Sequence, residues 1–587
     1  MEMKKNFLTK LRTFNKKISF KSHKIFVGRL YFLAFIYIFI FLIVLFKFAW
    51  LSFIPNPLRK KLILQVEKQL ETEIKVTKYR GTISDRNGRI LAMSVPRKSV
   101  FILPRKIPKS KKEKKALAKD LNVSFKDIQN LSHSKNNYVW LKRKINDSEF
   151  KKITNLKRWR QCVGVLAESL RVYPEKRLAA HLVGFVSRDN VGLEGVEKIY
   201  DDILQEDVQK IKVIRDARGN SAIMQPVEGQ LLHSENRNIQ LSIDSFIQEF
   251  TERELEGAIK KTKSKGGSAV VLNVKNGEVL AIASYPNYDL NSPPLSNPDK
   301  MRFRAIMDAL ELGSVVKPIF IARALDKGVI KVNEEIWCEN SYLKLKGGSI
   351  RDDVAGNKWL TASDIIRKSS NIGMYKVCQK LGKEELFNTI KKVGLNRFSG
   401  TGLPGEWDGN LSPPSRWKEL RFSNLSFGQG MAISNLQLAH AMSIIVDNGI
   451  DKGISILKQK KDKEEELGPK LQIISSETSK IIREMMGNVV YGGAGRRAKI
   501  RGILVGGKTG TAQKFNFEKH SYSDRILSFI GVLPIEKPNY LISIVLDESQ
   551  ASNNYGGVHA APVFAKIGEN LINYFNAKGI IALDEKL

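Results

Sequence analysis

Glu311-Leu312-Gly313-Ser314-Val315-Val316-Lys317-Pro318 is the stretch around which the rest of this chain organises itself. A serine and a lysine three residues apart, followed by an apolar run, read as the start of a helix. Pro318 is tolerated only within the first turn, where its missing N–H costs nothing. That places Ser314 at the helix start and Lys317 on the same face, within expected reach of the serine hydroxyl. A hydroxyl is a poor nucleophile without a base, and Lys317 can serve if its amine is neutral. The positive helix end, burial and a second nearby cation all lower its pKa. Taken alone the motif decides little, because Ser-x-x-Lys recurs at Ser132, Ser148, Ser341, Ser415 and Ser455.

Downstream, Ser369-Ser370-Asn371 follows the helical-looking segment Ala362 to Lys368, and Lys508-Thr509-Gly510-Thr511 occurs once, in a strand-like stretch introduced by Gly506-Gly507. Gly510 has no side chain, so a peptide can approach the strand backbone and pair with it. Strand alternation sends Thr509 and Thr511 to one face, two hydroxyl donors for a carboxylate. Each motif is weak singly. In order, 55 and then 139 residues apart, they are the three motifs of penicillin-recognising serine enzymes.

Around them, Ile239 to Asp244 alternates like a strand and Ser245 to Lys260 repeats apolar residues at helical spacing. The runs 267–274 and 277–283 flank a Lys-Asn-Gly turn, and further strands are predicted near 504–515, 526–533 and 540–547. An antiparallel sheet flanked by helices follows, an α+β domain. Upstream, Arg80 to Ala92 carries Asn87-Gly88 between apolar residues and predicts a strand pair. Residues 97 to 160 are basic and mixed, with short helical patterns and no residue set suited to catalysis.

Leu30 to Phe46 contains no charge, and apolar residues resume after Lys47 through Ile54, long enough to span a bilayer. No small-x-small cleavage site follows, which favours an uncleaved signal-anchor. Nine basic residues against the single acid Glu2 in the first 29 positions put that tail in the cytoplasm and the remainder outside. The net charge of +37 on 587 residues is taken as a solvated basic surface spread along the chain, not a nucleic-acid site. Cys162, Cys338 and Cys378 show no metal-ligand spacing, and no metal or other cofactor is expected; a Cys338 to Cys378 bridge is chemically possible, and nothing depends on it.

The flanking sequence resembles class B penicillin-binding proteins over nearly the whole exterior part. Arg80-Gly81-Thr82-Ile83-Ser84-Asp85-Arg86-Asn87-Gly88 looks like the opening of that family's pedestal module. Arg171-Val172-Tyr173-Pro174, Ala180 to Phe185 and Gly192 to Glu197 resemble its second signature, and Phe427-Gly428-Gln429-Gly430 matches one in the catalytic domain. The resemblance implies a cytoplasmic tail (1–29), a transmembrane helix (30–54), an elongated α+β pedestal (55–232), a β-lactamase-like transpeptidase domain (233–577) and a short tail (578–587). It implies a peptidoglycan DD-transpeptidase, acylated by β-lactams, with Ser314 as nucleophile and Lys317 as its base. Ser369 relays a proton, Asn371 binds the substrate amide, and Lys508 with Thr509, Gly510 and Thr511 holds the terminal carboxylate. The N–H groups of Ser314 and Thr511 form the oxyanion hole.

Ser-Ser-Asn and Ala-Ala-His-Leu-Val-Gly-Phe are most similar to the septal, cell-division type. Expected partners are stem peptides on lipid-linked or nascent glycan, a polytopic membrane glycan polymerase and division proteins. Leu312 stands where the family carries proline, and Ala494 where it carries threonine. A DD-carboxypeptidase or β-lactam-hydrolysing relative, and a non-catalytic penicillin-binding scaffold or sensor, are the alternatives.

Overall fold

The computed structural model describes residues 2–53, 71–76, 79–205, 209–214, 237–459, 471–516 and 520–579. The Lys/Glu-rich stretch after Pro55 and Pro57, Ile54 at the end of the expected span, residues 215–232 and the last eight residues lie outside the described set.

One helix, α1 (Glu2–Phe53), takes in both the basic tail and the apolar run. Its segment Val27–Trp50 is long and apolar enough to cross a membrane and buries nothing against the rest of the chain. The next described strands are β1 (Glu71–Val76), β2 (Ile83–Ser84) and β3 (Ile90–Ile102). The Asn-Gly signal between β2 and β3 is a tight turn with Gly88 at φ 87°, a conformation that favours glycine. Next come α2 (Lys111–Asp120), α3 (Phe125–Leu131), β4 (Val139–Ile145), β5 (Val163–Val172) and β6 (Gln209–Ile214). Antiparallel pairing joins β1 to β6, and β3 to β2, β4 and β5.

Residues 97 to 160 form a lobe whose own core contains Val100, Ile102, Leu117, Leu121, Ile128 and Trp159. The basic excess is denser here than an even spread would give: 20 lysines and arginines against five acids.

The strand β7 (Ile239–Gln240) pairs in parallel with β2, aligning Ile239 with Ile83, so the C-terminal part of the chain adds a strand to the N-terminal sheet. The Asp85 carboxylate accepts from the Asn87 and Arg89 amides of its own turn and from the Ser245 amide at the head of α4 (Ser245–Thr262). Three stretches distant in sequence meet at Glu197, which is 0% exposed: Arg80 and Arg171 both pair with it, and the Tyr173 hydroxyl donates to it.

The C-terminal sheet contains β8 (Gly266–Asn273) and β9 (Val279–Tyr285), the predicted hairpin. The helices α5 (Lys317–Asp326), α6 (Ala362–Lys368), α7 (Asn371–Leu381), α8 (Asn435–Val446) and α9 (Ser476–Gly492) follow. The strands β10 (Gly506–Asn516), β11 (Ser521–Leu533) and β12 (Tyr540–Asp547) and the helix α10 (Gly556–Ala577) complete it. The order β10-β11-β12-β8-β9 is antiparallel throughout and leaves β10 at the edge. One face packs on α4 and α10 through Phe529, Ile544 and Phe564; the other carries the helical layer with Ser314. All three cysteines are buried and free.

Candidate active site

Ser314 lies in a single 3-10 turn, Gly313–Val316, that runs directly into α5 with Pro318 in its first turn. Gly313 takes φ 63°, and its N–H donates to the Gly428 carbonyl at 3.3 Å. A Cβ on Gly428 would fall 2.3 Å from the Gly313 carbonyl, so the Phe-Gly-Gln-Gly stretch is where a second chain segment presses against the turn carrying Ser314. Ser314 is half-buried, while Lys317 is wholly buried.

The Lys317 amine donates to the Ser369 carbonyl at 2.7 Å and to Asn371 Oδ1 at 2.8 Å, with the Ser369 hydroxyl at 3.4 Å. The direct bond from Lys317 to the Ser314 hydroxyl that helical spacing predicts is not formed; Ser314 Oγ has no hydrogen-bond partner among the described residues. The physical reason is competition: a carbonyl and an amide oxygen from the Ser-Ser-Asn turn lie within 3 Å of the amine and accept its hydrogen bonds. Burial pushes the Lys317 amine down to about 7, against the opposing pull of Asp352 and Asp353.

Ser369 ends α6 with φ 58°, a left-handed conformation that non-glycine residues adopt at a cost. Lys508 Nζ donates to its hydroxyl at 3.0 Å and to the Thr509 carbonyl at 2.9 Å. Lys508 is also fully buried; burial first, and the neighbouring Lys317 charge second, hold its pKa well below the ordinary lysine value. Both lysines therefore converge on one serine hydroxyl.

A residue that sequence reasoning missed holds this turn. Asp352 accepts from the Ser370 hydroxyl at 2.7 Å, the Asn371 and Ile372 amides at 2.6 and 3.0 Å, and Asn357 Nδ2 at 2.9 Å. It caps the N-terminus of α7 from outside the helix. Nothing in local sequence marks an acid 18 residues before its partner.

Along β10, Lys508 and Gly510 face the serine turn. A Cβ on Gly510 would meet Ser528 Oγ at 2.2 Å, the Leu312 carbonyl at 2.8 Å and Val315 at 2.9 Å. The close approach that Gly510 permits is thus to the turn carrying Ser314, whereas sequence reasoning reserved that space for a peptide. Thr509 and Thr511 share the opposite side, next to the start of α10: the Gly556 amide donates to Thr511 Oγ1 at 3.1 Å, leaving that hydroxyl free to donate onward. Leu312, the departure from the proline pattern, is buried in the core and its carbonyl accepts weakly from Ser528 at 3.5 Å.

Residues 267–569 match the penicillin binding protein transpeptidase domain, and residues 75–234 match the penicillin-binding protein dimerisation domain. The chain belongs to the penicillin-binding protein transpeptidase family. Relatives include the probable peptidoglycan D,D-transpeptidase PenA of Neisseria meningitidis, 33% identical over 502 residues covering 84% of each chain. The peptidoglycan D,D-transpeptidase FtsI of Escherichia coli K12 is 31% identical over 540 residues, 90% of this chain and 89% of that one. Among solved structures, a peptidoglycan synthetase from Bifidobacterium adolescentis superposes with a TM-score of 0.67 at 25% identity, covering 86% of this chain and 97% of the other.

Proposed function

We propose that the chain is a peptidoglycan D,D-transpeptidase of the septal type, acylated at Ser314 by stem peptides and by β-lactams. The observation that carries this is the convergence of a half-buried serine, two buried lysines of lowered basicity and the Ser369-Asn371 turn at the edge of β10. A neutral Lys317 has two N–H bonds, which the Ser369 carbonyl and Asn371 amide oxygen engage; its lone pair is left to accept a proton.

In the proposed reaction, Ser314 Oγ attacks the carbonyl carbon of the penultimate D-alanine and its proton passes to Lys317. The tetrahedral oxyanion is held by the Ser314 and Thr511 amides, groups aimed where charge develops. The C–N bond breaks, the leaving amine receives a proton through Ser369, and D-alanine departs. An acceptor amine then attacks the ester, forming the cross-link and regenerating Ser314. Asn371 orients the substrate amide, and the terminal carboxylate lies at the open edge of β10, where Lys508 from one face and Thr509 and Thr511 from the other can hold it, with Gly510 keeping the strand close to the serine turn. An anion brought against Lys508 raises its pKa, so the cation forms together with the substrate.

Support for the setting comes from the sequence. An apolar helix with a basic leading segment favours a single-pass anchor with the N-terminus inside and residues after 54 outside. We place the pedestal at 55–232 and the transpeptidase domain at 233–577, and expect a polytopic glycan polymerase and division proteins as membrane partners. Fluorescent penicillin should label the wild type and fail to label Ser314→Ala; labelling that persists would refute the nucleophile. Given donor and acceptor peptides, the protein should form cross-linked dimer; free acid without dimer would reassign it to hydrolysis.

A further inference from the structure

Away from the Ser314 site, the outer side of α7 carries a hollow of about 440 Å³ lined by Glu335, Ile336, Trp337, Lys376, Gln379 and Lys380. Trp337 stands beside Trp359, ring centroids 5.3 Å apart and tilted by 52°, on two short strands that pair with each other. Trp359 is 57% exposed, and its indole N–H has no partner among the described residues. A large aromatic held open to solvent forgoes the stabilisation that burial gives, so an exposed, rigidly paired tryptophan next to a concavity marks a contact surface.

The charges around the hollow select what can bind there. Lys376 pairs with Glu339, and Lys380 pairs with Glu334. Trp337 Nε1 donates to Glu339, and Gln379 Nε2 donates to the Tyr375 hydroxyl. These polar groups are fixed in place and internally compensated, leaving only Glu335 in surplus. Among the residues lining the hollow an anion meets no unpaired cation, and an apolar helix meets a lining that is mostly charged or polar. A neutral, polyhydroxylated ring matches: it stacks its C–H face on an indole and exchanges hydrogen bonds with fixed donors and acceptors.

Position narrows the ligand further. The hollow lies five to nine residues along α7 from Asn371, about 8–14 Å at the helical rise. An extended peptide of four residues spans up to about 14 Å. A peptide with its reacting end at Asn371 therefore brings the sugar it is attached to within reach of the tryptophans. We propose that this hollow is a saccharide subsite, which seats the amino-sugar backbone of the glycan strand whose peptide is bound at Ser314. The inference rests on the transpeptidase reading.

The test uses the full chain in detergent micelles and an uncharged hexamer of β-1,4-linked N-acetylglucosamine, with binding followed by saturation-transfer NMR. Saturable binding is expected in the wild type, about tenfold weaker in Trp359→Ala and largely retained in Trp359→Phe, while fluorescent-penicillin labelling stays unchanged in both. With a glycan-borne donor peptide, Trp359→Ala should raise KM and leave kcat in place; with a sugar-free donor neither should move. If Trp359→Ala loses labelling and hence its fold, Gln379→Ala on the exposed helix face takes over the measurement, with the same weakening expected. Wild-type protein that labels with penicillin yet binds no hexamer overturns the subsite, as does undiminished binding in the variants; the hollow would then be free for a protein partner. Wild-type protein that fails to label refutes the transpeptidase reading instead, and the hexamer titration still reports on the hollow.

Discussion

Two lysine amines buried within reach of one serine hydroxyl cannot both hold a proton cheaply, and the consequence can be measured at Lys317. The unfolded amine titrates near its ordinary value of 10.5 and the folded one near 7. Between those values folding releases a proton, so stability rises with pH across that window and the penalty is fully present below it. Lys317→Met should therefore abolish penicillin acylation while raising the melting temperature at pH 7, the removed penalty being on the order of a few kcal/mol. In the wild type the acylation rate should climb with pH to a plateau above about 7 and fall about tenfold per unit below it, since in the proposed reaction only the neutral amine accepts the serine proton. A flat profile from pH 5 to 8 would remove Lys317 from the base role. Asp352 contributes differently, through three hydrogen bonds to the turn bearing Ser370 and Asn371 and a fourth from Asn357. Asp352→Ala should lower the acylation rate by roughly 10–100-fold and cost about 1–2 kcal/mol of stability, seen in stopped-flow labelling and thermal unfolding respectively.

Among the elements, the contact between β10 and the serine turn is the most exacting. Gly510→Ala should depress acylation about a hundredfold or more, because the new methyl meets side-chain and backbone oxygens below 3 Å. Adding Ser528→Gly removes the nearest of those atoms and should recover part of the rate, which the double variant tests directly. This contact also shows where sequence reasoning stops. The strands 266–273, 279–285, 506–516 and 540–547 and the helix 245–262 follow from alternation and helical period, which are local properties. Lys317, Ser369, Asn371 and Lys508 were recognisable as a set because their order is written along the chain. The service Asp352 gives to α7, the press of Gly428 on Gly313 and the real reason for Gly510 were not. Each is a contact between segments far apart in sequence, with no periodicity to announce it.

At the scale of the whole molecule, pedestal and catalytic domain are joined by more than a linker: β7 extends the pedestal sheet, and Asp85 caps the first helix of the catalytic part. Glu197 anchors the pedestal side, and removing it leaves Arg80 and Arg171 buried without their shared counter-charge. Glu197→Ala should destabilise the pedestal by about 3–5 kcal/mol, appearing as a separate low-temperature unfolding step ahead of the catalytic domain. The 97–160 lobe, with 20 basic residues against five acids, repels itself. Raising ionic strength should therefore slow hydrogen exchange in α2 and α3 more than in the catalytic sheet, where charge is balanced by neighbours.

The three cysteines offer something different again. Each is buried, and burial pushes the Cys162 thiol up to about 11 and the Cys378 thiol up to about 12, with Cys338 raised as well. Thiols that are both inaccessible and protonated ignore maleimides at neutral pH. The native chain is thus already a silent background for spectroscopy. One cysteine introduced on the basic lobe and another beside the cleft would be the only sites to take a dye pair, so the separation between pedestal and active site could be followed in the membrane-embedded protein without altering a single native residue of its core.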